Sequence, residues 1–83
     1  MPHAPTTPLA AALDRVEELL GTHADALEEP EHAARDLRDL REEATSARPD
    51  VARRDSALSR LTHRVSTVAP LLTAVESVRN LLA

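Results

Sequence analysis

The stretch RVSTVAPLLTAVESVRNLL, Arg64 to Leu82, carries a proline inside what otherwise reads as one uninterrupted apolar helix face. Pro70 has no N–H to offer the carbonyl of Ser66, and its ring crowds that carbonyl, a combination that kinks or breaks a helix. The apolar register nevertheless passes through it without a slip: Val51, Leu58, Leu61, Val65 and Val68, then Leu72, Val75 and Leu82, flanked by Leu71, Val78 and Leu81. A loop insertion ordinarily shifts that phase. The reading is therefore one long helix beginning near Val51 and bent between Ser66 and Pro70, with a helix broken there as the alternative.

Working outward from this helix, Arg48-Pro49-Asp50 marks a tight turn, and Asp50 is a good N-cap for the helix that starts at Val51. The preceding helix is expected from about Pro30 to Ala47, with a light seam of Ala33, Leu37, Leu40, Ala44 and Ala47. Its outer face offers the pairs Glu31 with Arg35, Arg35 with Asp39 and Arg38 with Glu42. A first helix starts where Thr7 caps and Pro8 opens the first turn. Its seam is Leu9, Leu13, Val16, Leu20 and Leu27, with His23 standing where a hydrophobe is due. Gly21 weakens this helix by about 1 kcal/mol relative to alanine. Because the seam resumes at Leu27, the helix is expected to continue to about Leu27 or Glu28. Residues 1–7, MPHAPTT, read as a flexible tail on a single domain spanning 8–83.

These elements make the fold class all-α: an antiparallel three-helix bundle with a long third helix kinked near Pro70. Composition agrees. The chain of 83 residues has no Phe, Trp, Tyr or Cys, so Leu, Val and Ala carry its apolar surface, which suits helix seams better than strands. At about 1.5 Å per residue the third helix would reach nearly 50 Å against roughly 30 Å for the others. Its last turns would then overhang the second helix.

Function is narrowed mainly by exclusion. Without cysteine there is no disulfide framework and no Cys-based zinc site, and a single glycine leaves no phosphate-cradling loop. The first residues lack both a basic segment and an apolar core, and no apolar run approaches about 18 residues, so a cytoplasmic protein with no membrane span is expected. The four histidines show no i, i+4 pair for a metal, and His23 reads as a half-buried or helix-end residue. Glu17-Glu18, Glu28-Glu29 and Glu42-Glu43 are adjacent pairs that diverge around a helix, which is solvated charge rather than acid-base chemistry. Ser56, Ser59, Ser66 and Ser77 have no identifiable relay partners. No cofactor, metal site or catalytic residue is expected, and the chain does not read as an enzyme.

Charge is unevenly distributed. Residues 1–50 hold twelve acids against five arginines, a balance of −7, and residues 51–83 hold two acids against five arginines, a balance of +3. The two halves attract each other. Arg53, Arg54, Arg60 and Arg64 at the start of the third helix form a candidate site for an acidic partner, although Arg60 and Arg64 can instead face Asp36 and Glu43 across an antiparallel contact. The acidic total and the lack of aromatic residues for base stacking weigh against nucleic acid. The overhanging apolar turns give the strongest signal, with Leu71, Leu72, Val75, Val78, Leu81 and Leu82 as the expected interface of a homodimer. A protein-protein interaction or self-association module is thus the first reading. A small regulator binding another protein, and after it DNA, through the arginines is the second.

The exclusive use of arginine as the basic residue, with no Gln or Ile, is the bias of a GC-rich genome, for which an actinobacterium is the first expectation. The turn Arg48-Pro49-Asp50 and the segment Val68-Ala69-Pro70-Leu71, coming after a charged second helix, resemble a group of short, uncharacterised actinobacterial helical proteins. The resemblance covers nearly the whole chain after Thr7. It implies a shared helical layout and an association role, and brings no activity to transfer.

Overall fold

The computed structural model describes residues 7–83, and over these residues the chain is all-helical, with four α-helices: α1 (Pro8–Thr22), α2 (Pro30–Ala44), α3 (Val51–Val65) and α4 (Ala69–Leu82). A short 3₁₀ turn, Ala24–Ala26, lies between α1 and α2. The tail expected over residues 1–7 lies, apart from Thr7, outside the described residues.

The long kinked third helix is not observed; the chain breaks between α3 and α4, and a three-helix bundle gives way to four helices. At the break, Ser66 N–H donates to His63 at 3.3 Å and Val68 N–H to Val65 at 2.9 Å, a tight turn rather than a bend. Pro70 falls in the first turn of α4, where an α-helix has N–H groups without partners and a missing one costs nothing. The turn consumes about one helical repeat, so Val65, Val68 and Val75 of the expected register remain buried, while Leu71 takes the enclosed place expected of Leu72, which is partly buried. Periodicity tracks which side chains face inward, and it is blind to a reversal that keeps the same spacing.

Two further boundaries move for local reasons. α1 stops at Thr22, against the expected continuation past Gly21, and the 3₁₀ turn is closed by Ala26 N–H to His23 at 2.9 Å and Leu27 N–H to Ala24 at 3.1 Å. That turn still delivers Leu27 to the core, so the seam resumes without the helix resuming. α2 stops at Ala44 rather than Ala47, where Thr45 donates its hydroxyl to the Arg41 carbonyl at 2.8 Å. Ala47 is exposed.

The starts match the capping residues. Thr7 Oγ1 accepts from Ala10 N–H at 3.1 Å ahead of Pro8, and Asp50 Oδ1 accepts from Arg53 N–H at 3.1 Å. Glu43 Oε1 accepts from the Asp50 N–H at 3.0 Å, which ties the α2–α3 turn to the end of α2. Asp50→Ala is expected to cost about 1 kcal/mol, a fall of about 4–8 °C in the melting temperature by calorimetry.

The most extensive helix contacts are α2 with α3 and α1 with α4, and lesser contacts of α1 with α2 and α3 with α4 close the assembly. One core runs through all four helices, with Leu13, Leu40, Leu61, Leu71, Val16, Val65, Val75 and Val78 fully enclosed. Removing each buried leucine side chain from water contributes about 1.5–3 kcal/mol. Buried Ala33, Ala57 and Ala74 keep the seams narrow, so a chain without aromatic residues still closes its core.

Candidate interaction surface

The charged face of α2 is organised around one acid. Asp36 is the buried charged residue among those described, 4% exposed, and it lies on the side of α2 that meets α3. Its Oδ1 accepts from Arg60 Nε at 3.0 Å and its Oδ2 from Arg64 Nε at 2.7 Å. Arg64 also donates to Glu29 at 3.2 Å, and Arg60 lies 3.7 Å from Asp39. The hydrogen bond to Asp36 is the main reason that the Arg64 guanidinium titrates above its ordinary value; partial desolvation opposes it, and the charges of Asp36 and Glu29 reinforce it. Two arginines on consecutive turns of α3 thus clamp one carboxylate of α2, and the order of the pairings makes these helices antiparallel.

This clamp uses half of the arginine cluster. Arg60 and Arg64 are engaged with α2, Arg54 lies 3.3 Å from its neighbour Asp55, and Arg53 shares its surface with Asp39, Glu42 and Glu43. The start of α3 is a neutralised seam with acids on its flank. The pairing with Asp36 agrees with the sequence expectation, while Glu43 turns to the Asp50 backbone instead. The i, i+4 pairs expected along α2 are not among the ion pairs of the described residues; longer-range pairs between helices take their place.

On α4, Leu71, Val75 and Val78 are fully enclosed by the chain's own helices. Leu72 and Leu82 are partly buried, and Leu81, 47% exposed, is the one large apolar side chain of α4 that stands well into solvent. At the start of α3, Val51 is 52% exposed. Half of the expected interface is therefore core, because breaking the third helix folds its second half against α1.

The histidines remain apart. His3 lies outside the described residues; His23 is a half-buried C-cap of α1, His32 Nδ1 sits 2.6 Å from Glu29 Oε2, and His63 is exposed. Among the described residues no three His, Cys, Asp or Glu side chains converge as metal ligands. Among the described residues no helix is long and apolar enough to cross a membrane.

A surface that leaves little trace in the helix seams is the groove between α1 and α2. It encloses about 540 Å³ and is floored by Leu20 and Leu37, with Gly21, Ala24, Pro30 and Ala34 keeping it open. Its rim carries Glu17 on α1 and Glu31, Arg38 and Arg41 on α2. Arg41 bridges the helices, donating from Nη1 to Asp14 at 3.0 Å, with its buried Nη2 3.9 Å from Glu17 and without a hydrogen-bond partner among the described residues. The sequence held one sign of this groove: a glycine in the middle of an otherwise good helical pattern.

A family model for a family of unknown function, DUF5955, matches residues 2–83. The chain belongs to this family. The match spans nearly the whole sequence, so the α2–α3 clamp and the α1–α2 groove both lie within the family domain. No curated protein and no solved structure gives a significant match.

Proposed function

We propose that this DUF5955 domain is a non-catalytic protein-protein interaction module that self-associates. The observation that carries the reading is the open apolar groove between α1 and α2, which the chain's own helices leave uncovered. A small helical domain gains by closing its seams, and an apolar channel with a charged rim is the arrangement that a second protein surface completes. The internal use of Arg60 and Arg64 weighs against the alternative partner site at the start of α3.

The deciding measurement is solution mass across concentration by light scattering with refractive-index detection, because the chain has no Trp or Tyr to absorb. Mass rising from that of the 9.0 kDa chain toward twice that value, with a melting temperature that rises in parallel, is the expected result. A constant single-chain mass would remove the self-association reading.

A further inference from the structure

Gly21 is a residue without an internal explanation. Its φ is not positive, and a Cβ built on it meets nothing within 4 Å among the described residues, so neither backbone conformation nor packing against them asks for glycine. Alanine would favour the helix and fit. Gly21 lines the α1–α2 groove beside Ala24, Pro30 and Ala34, and these small residues leave the helix backbones open to close approach from outside.

The charges on the rim say which surface. The two walls run antiparallel, with Glu17 level with Arg41 and Ala24 level with the start of α2. Along α1 the exposed acids Asp14 and Glu17 flank the groove; along α2 the flank is basic at this level, with Arg38 and Arg41. A half-turn about an axis running along the groove lays α1 of a second copy over α2 of the first at the same level. Glu17 of each copy then faces Arg38 and Arg41 of the other, and Glu31 faces the uncharged Gly21–Ala24 segment. A half-turn about an axis across the groove would instead set α1 on α1 and take Glu17 away from Arg38 and Arg41 of the other copy.

Resting on the self-association reading, we infer that the α1–α2 groove is an isologous homodimer interface whose occupant is the same groove of a second copy, with its two-fold axis along the groove, Gly21 as the point of close approach and Glu17 paired with Arg38 across it. The interface is self-complementary in charge. It leaves α4 in the core of each protomer.

Solution mass against concentration for the wild-type chain and four variants tests this, with circular dichroism confirming that each remains helical. Gly21→Arg places a long side chain where the isolated chain has open space, so a folded single-chain species is expected. Glu17→Arg and Arg38→Glu each oppose like charges across the axis and weaken dimerisation by at least about tenfold, and combining them restores it to within about threefold of wild type. Dimers that persist unchanged in Gly21→Arg and in both single charge reversals overturn the groove as the interface while leaving self-association standing. A wild-type chain that keeps a single-chain mass to millimolar concentration overturns both, leaving the groove to a helix of another protein.

Discussion

In far-ultraviolet circular dichroism, Val75→Asp is expected to show little helical signal and no cooperative melt, while Leu81→Asp melts within a few degrees of the wild-type chain. Both substitutions put a carboxylate on α4, six residues apart. Val75 is fully enclosed by core, however, and Leu81 is 47% exposed. An ionised carboxylate in an apolar interior has neither water nor a partner, and its burial costs several kcal/mol even after the group neutralises. A domain of this size holds about 4–12 kcal/mol of stability in total, so the cost at Val75 is comparable to the whole. Were α4 instead the overhanging end of a long helix, Val75→Asp would leave a folded chain and act only on assembly. A folded Val75→Asp variant would therefore contradict the four-helix core.

Asp36→Ala should produce the second largest loss, about 2–4 kcal/mol, read as a fall of about 10–20 °C in the melting temperature. The variant removes the shared acceptor of Arg60 and Arg64 and leaves both guanidinium groups beside a small apolar gap. Part of that penalty is relieved because the arginine side chains are 47% and 30% exposed and can turn to water. The control is a triple change, Asp36→Leu with Arg60→Met and Arg64→Met, which replaces the whole clamp by apolar packing and should recover most of the lost stability. If Asp36→Ala melts with the wild type, the clamp contributes orientation without stability. The pH response has a definite sign on the arginine side. Because the Arg64 pKa is raised in the folded chain, its contribution is fully present below the unfolded arginine value and is lost only as pH rises through the folded one, in strongly alkaline solution.

The exposed face of α2 shows how far charge can be read along a chain. Spacing places Glu31 with Arg35 and Arg38 with Glu42 on one face, but solvated neighbours of this kind gain only a few tenths of a kcal/mol. Cross-helix partners win where burial lowers the local dielectric, as at Asp36, and the charge imbalance between the two halves of the chain points to such pairing. Arg41 with Asp14 was not legible, because it depends on how α1 lies beside α2.

The amino-acid sequence alone set the helical class, the capped starts at Thr7-Pro8 and Asp50, the start at Pro30 and most of the inward positions of the first three helices, though not Leu19 or Ala57. These are consequences of local chemistry: a side-chain oxygen offered to free N–H groups, a fixed proline φ, and a repeat that sorts apolar from polar positions. Tertiary structure decided the number of helices, the enclosure of Leu71, Val75 and Val78, and the open groove at Gly21. The turn at Ser66 to Val68 keeps helical spacing while reversing the chain, and the gain from folding α4 back onto α1 is burial between residues far apart in sequence. No local pattern carries that term; it exists only once the helices meet.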